Sequence, residues 1–397
     1  MIEGFIRKPT GIEAFFIDLD AGGCNMTFHF YLKLDKKPDP ERLKAAMKQI
    51  LSTHQGINMK FYKDAWYASS YSHECPIVEI NDSDLSSYTP CRLDYHQNTV
   101  DLKILHANVS DTWYLCFDFF HGVADGRSGM QFIYAFFDVL NNREVLEPEF
   151  KLDPCELINT DAKKTEKHCH GSTFTVIPQC APAHWNAIKK GEDKTMILSH
   201  DGSLKGISAH HSAIVSGLFG KKSSKMIIPV DIRRHADTQD KAMYGNLFVP
   251  MFLETSALSA SSEIHNEIIK FVKEKSLLMK IAKKLNIYCI FPTKLRQTVI
   301  RGAIPLVMGS KKFIYCALVS ALGTVDSTRL TCEDFAVNDY AATFVSFPFT
   351  AFTVISVQFD GHTNTTVSWH SGRVPLSTVD TLVCKLDECM NAQAVCA

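Results

Sequence analysis

Phe117–Gly129 reads FDFFHGVADGRSG, and it decides more about this chain than any other stretch. A histidine, His121, stands four residues before an aspartate, Asp125, and Gly126 follows at once. Upstream lies an apolar, aromatic run (Trp113, Tyr114, Leu115, Phe117, Phe119) that reads as a buried strand. Downstream, Met130 to Leu140 reads as a helix. The histidine therefore falls where a strand gives way to a loop and then a helix. A neutral imidazole held there can act as a general base near pH 7, because its ordinary pKa lies close to that value. The spacing suits a turn in which the Asp folds back under the loop. Gly126 would allow positive φ or close backbone approach. The same letters also describe a plain strand-end histidine bonded to a carbonyl, beside an Asp-Gly turn.

The remaining composition is that of an ordinary globular protein. The chain has 397 residues, long enough for two compact domains. Its 42 basic and 43 acidic side chains leave a net charge of −1, a balance that calls for neither nucleic acid nor an anionic membrane as partner. The N-terminal MIEGFIRKPTGIEAFF lacks a long apolar run, so no signal peptide is expected. Thr343–Phe359, the most apolar late stretch, carries Pro348 and several Ser and Thr, and reads as paired strands instead of a membrane span. Thirteen cysteines without CxxC spacing read as reduced thiols of a cytoplasmic protein, many of them small core side chains.

Around the central stretch, strand and helix signals alternate. Thr27–Leu34 is strand-like. Asp39-Pro40-Glu41 makes a helix start, with Leu43, Met47, Ile50 and Leu51 following at helical spacing. Trp66–Tyr71 and Val100–Ala107 read as further strands. From Asn141 to about Lys194 the sequence turns polar and proline-rich, as a crossover between two halves would. Ile207–Phe219 then reads as a helix and Met226–Ile232 as a strand. Glu263–Leu285 reads as one amphipathic helix. Phe313–Ser320, Ala351–Gln358 and Thr365–Trp369 read as strands, and Val379–Met390 as a closing helix. The expected class is α/β, in an α+β layering. The expected divisions are an N-terminal subdomain over 1–145, a crossover over 146–194 and a C-terminal subdomain over 195–397.

His121-Gly-Val-Ala-Asp125-Gly126 resembles the H-x-x-x-D-G signature of the chloramphenicol acetyltransferase-like superfamily, which includes condensation domains and alcohol acetyltransferases. Three more segments are similar to family elements and stand in the family's order. They are Ile228-Pro229-Val230-Asp231-Ile232-Arg233-Arg234, then Tyr244-Gly245-Asn246-Leu247, then Val319-Ser320-Ala321-Leu322-Gly323. The last looks like the family's Ser-Asn-Leu-Gly strand end, with Ala321 for the Asn. Condensation domains usually carry two adjacent histidines, whereas Phe120 precedes His121 here, as in the stand-alone acetyltransferases. The plant branch's Asp-Phe-Gly-Trp-Gly motif is absent. The resemblance implies two similar subdomains, each a mixed sheet flanked by helices, around a tunnel with the histidine at its midpoint.

It also implies roles. His121 would be the base, activating an alcohol or amine acceptor that attacks an acyl thioester without an acyl-enzyme. Asp125 would form a buried salt bridge to Arg233, leaving Arg234 at the surface. Gly126 would serve through its backbone. Asn246 would hold a loop or touch the donor, and Ser320 would donate to an oxyanion or be an ordinary strand serine. No permanently bound cofactor is expected. Acyl-CoA is expected as co-substrate, and Lys221, Lys222 and Lys225 either meet its phosphates or form a solvated loop. His168-Cys169-His170 and His210-His211 lack the ligand spacing of a zinc site, so no metal is expected. Cys116 lies on the motif strand, but its parity puts it opposite Phe117 and Phe119. The function expected is an acyl-CoA-dependent O-acyltransferase acting on an alcohol. Two alternatives stay open: a condensation-type enzyme fed by an acyl carrier protein, and a non-catalytic binder or scaffold that kept the fold.

Overall fold

The computed structural model describes residues 4–70, 72–85, 88–146, 148–149, 154–158, 191–203, 205–219, 224–235, 242–256, 259–308 and 313–394. Most of the expected crossover, 146–194, therefore lies outside the described residues, as do Lys221, Lys222 and the His168-Cys169-His170 cluster. In chain order the main elements are α1 (Gly11–Ala21), β1 (Thr27–Leu34), α2 (Pro40–Thr53), β2 (Ile77–Ile80), β3 (Val100–Ala107), β4 (Thr112–Phe120) and α3 (Gly126–Leu140). The second half contributes β5 (Asp193–Asp201), α4 (Ile207–Leu218), β6 (Ser224–Asp231), β7 (Phe248–Thr255), α5 (Ser261–Lys273), α6 (Lys275–Ile287) and α7 (Thr293–Met308). It ends with β8 (Tyr315–Val325), β9 (Val337–Phe344), β10 (Thr350–Phe359), β11 (His362–His370) and α8 (Leu376–Ala394). No helix among the described residues is long and apolar enough to cross a membrane.

Alternation along the strands decides which face each residue takes. In β1, Phe28, Phe30, Leu32 and Leu34 enter the larger core, while Tyr31 joins a small cluster on the opposite face. In β4, Leu115, Phe117 and Phe119 take the first face and Cys116 the second, as its parity predicts. Helix α3 presses Met130, Phe132, Ile133, Phe136 and Phe137 onto the first face. Helix α2 begins as its sequence predicts: Asp39 accepts from the Glu41 amide at 3.0 Å, with Pro40 at the first position.

Two mixed sheets result. The first runs β9-β1-β4-β3-β2, antiparallel except for β2 beside β3. The second runs β7-β6-β8-β10-β11-β5, with parallel pairing at β6–β8 and β8–β10. One strand crosses between the halves. β9 comes late in the chain yet pairs with β1, Phe344 opposite Phe28 and Ala342 opposite Phe30. Asn364 and Thr366 of β11 donate to the carbonyls of Tyr340 and Ala342 at 2.9 and 2.7 Å, tying β9 to the second sheet as well. The apolar stretch Thr343–Phe359 is thus not a pair of partnered strands. Its two ends, in β9 and β10, belong to different sheets.

Glu263–Leu285 is also not one helix. It breaks at Glu274, whose ψ of 78° leaves the helical region. Helix α5 packs on α4, whereas α6 packs on α1, and a straight rod cannot reach both. Gly11 is what lets α1 and α6 meet. A Cβ there would lie 2.0 Å from the Leu285 carbonyl oxygen, so no larger residue fits this backbone crossing.

Candidate active site

The loop after β4 is built from the pieces that the sequence singled out. Asp125 caps α3, accepting from the Ser128 amide at 2.8 Å, and its other oxygen accepts from the Leu247 amide at 2.8 Å. Arg233 grips the same carboxylate with both terminal nitrogens, at 2.8 and 3.0 Å. The remaining guanidinium hydrogens go to Asp231, Ser128 and the carbonyls of Met243 and Gly245. Ser128 Oγ in turn donates to the Gly245 carbonyl and accepts from the Gly245 amide. Both members of the ion pair are buried, at 7 and 6 % exposure. Burial pushes the Asp125 pKa up, but the Arg233 charge and four hydrogen bonds outweigh it and hold the carboxyl below its usual range. Three separate segments are therefore locked together beneath His121. Arg234, by contrast, is exposed.

His121 itself is fixed from two sides. Its amide donates to the Met26 carbonyl at 2.8 Å. Asn246 Nδ2 donates to the His121 carbonyl at 2.7 Å, which turns Asn246 Oδ1 toward the ring. The ring must then present a hydrogen there, so Nδ1–H donates to Oδ1 at 3.1 Å and Nε2 is left with its lone pair. Four phenylalanines surround the imidazole: Phe16 stacks at 4.2 Å, and Phe28, Phe344 and Phe248 meet it edge-on at 5.3, 5.2 and 6.0 Å. Burial among these rings lowers the pKa of His121 below the ordinary histidine value. Its own carbonyl, the charge of Asp125 and the Asn246 bond oppose that shift without cancelling it. A neutral base at pH 7 is the consequence.

His121 lines a cavity of about 840 Å³ between the two sheets. The walls are mainly aromatic and aliphatic, from both halves: Phe15, Phe30, Ile227, Phe252, Leu318 and Ile355 among them. The cavity follows β6 from Asp231 to Lys225, roughly 20 Å at the rise of a strand. Exposed lining residues mark where it reaches the surface: Arg127 and Arg234 beside the ion pair, Glu254 opposite Lys225, and Lys284 on α6.

Helix α1 carries Phe15 and Phe16 to the wall, and buried acids hold it in place. Asp18 accepts from Arg296 and from Tyr288, each at 2.8 Å, and Asp20 pairs with Arg92. From the sequence α1 had no expected role, and none of the four phenylalanines around His121 was singled out. The only signal was the acids Asp18 and Asp20 among the apolar residues of α1, each held by a partner distant in sequence.

Gly126 opens α3 without positive φ. It is needed for close approach, since a Cβ would come within 2.5 Å of Leu322 Cδ2. Val319–Gly323 does not end a strand. It lies inside β8 at a bulge, where Gly323 takes φ 85° and the register with β10 slips. Ser320 and Ala321 still line the cavity, as does Lys225. Cys116 is sealed on the opposite face, and burial raises its thiol pKa well above normal, so it cannot partner His121. His211 is buried, with its pKa pushed down to about 3 by burial and by neighbouring histidines. Among the described residues one trio of metal-type ligands converges, His29, Cys116 and Asp118, but the Lys103 ammonium already sits on Asp118.

No protein-family model matches the chain, and no curated protein sequence does. Solved structures do. Polyketide synthase associated protein 5 from Mycobacterium tuberculosis is 13% identical, with a TM-score of 0.58 over 98% of this chain and 99% of that one. A trichothecene 15-O-acetyltransferase from Fusarium sporotrichioides is 12% identical, with a TM-score of 0.58 over 97% and 94%. The starter condensation domain of a rhizomide synthetase, solved with C8-CoA and Leu-SNAC, is 12% identical, with a TM-score of 0.57 over 98% and 94%. Identities this low speak for architecture alone. Over nearly its whole length, this chain has the chloramphenicol acetyltransferase-like fold of the condensation domains and acetyltransferases.

Proposed function

We propose that the protein is an acyltransferase that moves an acyl group from acyl-CoA to the hydroxyl of an apolar alcohol. His121 is its general base, and no acyl-enzyme forms. One observation carries the reading: a neutral imidazole, pinned through Nδ1, lines an apolar cavity that reaches the surface. In the proposed step Nε2 takes the acceptor's hydroxyl proton as its oxygen attacks the thioester carbonyl. The tetrahedral intermediate then collapses, the C–S bond breaks, and the imidazolium returns the proton to the departing thiolate. Ser320, on the cavity wall, is the proposed donor to the oxyanion. Asp125 and Arg233 hold the loop and Asn246 holds the ring. Gly126 admits the neighbouring strand.

The donor could instead arrive on a carrier protein, as the likeness to a condensation domain suggests. Phe120 in place of a first histidine favours the free coenzyme. The test is release of free thiol from acetyl-CoA and octanoyl-CoA in the presence of 1-octanol, with acyl-carrier protein run in parallel. His121→Ala is expected to lower turnover by roughly 10²- to 10⁴-fold, with an unchanged thermal melt. Undiminished turnover in that variant removes the base from the mechanism. Turnover with acyl-carrier protein alone reassigns the donor.

A further inference from the structure

Six of the exposed large apolar side chains among the described residues fall within one stretch of twenty. Ile287 ends α6, Ile290 and Phe291 sit at the turn after it, and Leu295, Val299 and Leu306 follow along α7. The last three are spaced i, i+4, i+11, which is one stripe of a helix. The opposite stripe, Arg296, Ile300 and Ile304, is turned inward, Arg296 reaching Asp18 and Ile304 entering the core. Ile290 and Leu306 are each 76 % exposed, so these groups protrude instead of lining a groove.

The charge around them is one-sided. No Asp or Glu occurs between Glu274 and Asp326, a stretch that carries nine Lys and Arg in a chain of net charge −1. Lys280 and Lys283 on α6, and Lys294 and Arg301 on α7, are exposed. Protruding apolar groups within a field of cations are what an anionic bilayer surface takes up: the apolar groups enter the acyl boundary and the lysines meet the headgroups. A second copy fits less well. Twofold pairing would set this patch against itself, cation facing cation.

We infer that the α6–α7 turn and the outer face of α7 dock on a negatively charged lipid surface. The patch begins at the cavity wall, since Lys284, Leu285 and Tyr288 line the cavity. Its docking does not depend on the acyl-transfer reading, because binding is measured without turnover.

The test is co-sedimentation of the full chain with vesicles of phosphatidylcholine, alone or with about a third phosphatidylserine. The protein is expected to pellet with the anionic vesicles, to stay in solution with the neutral ones, and to be released by high salt. Ile290→Ser with Phe291→Ser should weaken binding at least roughly tenfold. Lys283→Ala with Lys294→Ala should weaken it roughly 10- to 30-fold, and both doubles should melt like the parent. Val109→Ser, an exposed apolar site elsewhere, should bind as the parent does. Absence of binding to anionic vesicles overturns the inference. So does parental binding by the Ile290/Phe291 double. A dimer that the same double converts to monomer, or retention by an acidic carrier protein without vesicle binding, gives this face to a protein partner and also overturns it.

Discussion

His29 lies on β1 and His121 directly follows its partner strand β4, yet the two differ in what holds their rings and what stands before them. His29 lies opposite Asp118 in the β1–β4 register, and its Nδ1 is 2.7 Å from the Asp118 carboxylate, with Lys103 on the other oxygen. His121 stands three residues beyond Asp118, on the opposite face, with an amide for a partner and a cavity in front of it. Both sites are largely shut off from bulk water. The acid at Nδ1 ties His29 to a carboxylate that a lysine already holds, whereas the amide at Nδ1 leaves His121 a neutral base with one nitrogen to spare. The partner at Nδ1 and the cavity in front, not the depth of burial, distinguish the two histidines.

The comparison is broken most forcefully at Asp118. Asp118→Asn removes the anion between His29 and Lys103, leaving the Lys103 ammonium uncompensated. A loss of about 3–5 kcal/mol in urea unfolding at pH 7 is expected, with kcat/KM unchanged well below the melting transition. The pH dependence has a definite sign. Burial raises the Asp118 pKa, but His29 and Lys103 outweigh it and hold the folded value below the usual 3.8. Its contribution is therefore full above pH 3.8 and is lost as pH falls through the folded value, so parent and variant converge in acid. A fall in kcat/KM matching the fall in stability would mean that the two faces of β4 are one device.

How legible was this contrast in the sequence? H-x-x-x-D-G, the arginine of the Pro-Val strand and the Gly-Asn step are local strings, and the structure brings all three to one place. The Asp125–Arg233 pair stands where the family resemblance implied. Strand parity put Cys116 on the far face without help from any contact. What stayed hidden depends on contacts distant in sequence. Phe16, Phe28, Phe248 and Phe344 are four of 26 phenylalanines, and nothing local tells a cage from a core. Of β9, only Thr343 and Phe344 fell in a stretch read as strand, and its place in the first sheet is set by pairing with β1, far away in sequence. The break at Glu274 is invisible to periodicity because Ile264 and Leu278 are both buried, only against different neighbours.

Asn246 sharpens the comparison directly, because replacing it with an acid gives His121 the kind of partner that His29 has. In the parent, burial keeps the His121 pKa below 6.5, so the acid limb of kcat/KM should lie below that pH. Asn246→Asp sets a carboxylate at Nδ1, which favours the imidazolium, and the limb should move up by roughly one unit, about 1.4 kcal/mol. Asn246→Ala should lower kcat with little change in the limb's position. A purely structural asparagine would lower stability in both variants and leave the limb where it was.

The smallest effect is expected at Gly126, and it tests whether the loop's glycine serves packing or ligand. An alanine Cβ would lie 2.5 Å from Leu322 Cδ2, the end of a flexible and partly exposed side chain. Leu322 can swing away, and alanine limits the freedom of the unfolded chain by about 0.4–1 kcal/mol relative to glycine, so the two terms nearly offset. Gly126→Ala should therefore change stability by no more than about 1 kcal/mol, and adding Leu322→Ala should remove what cost remains. Gly11→Ala is the contrast, because there the obstacle is the Leu285 backbone, which cannot swing. If Gly126→Ala instead lost most turnover at full stability, and Leu322→Ala did not restore it, the missing methyl would be making room for substrate beside His121, and the glycine would belong with the base instead of with the packing.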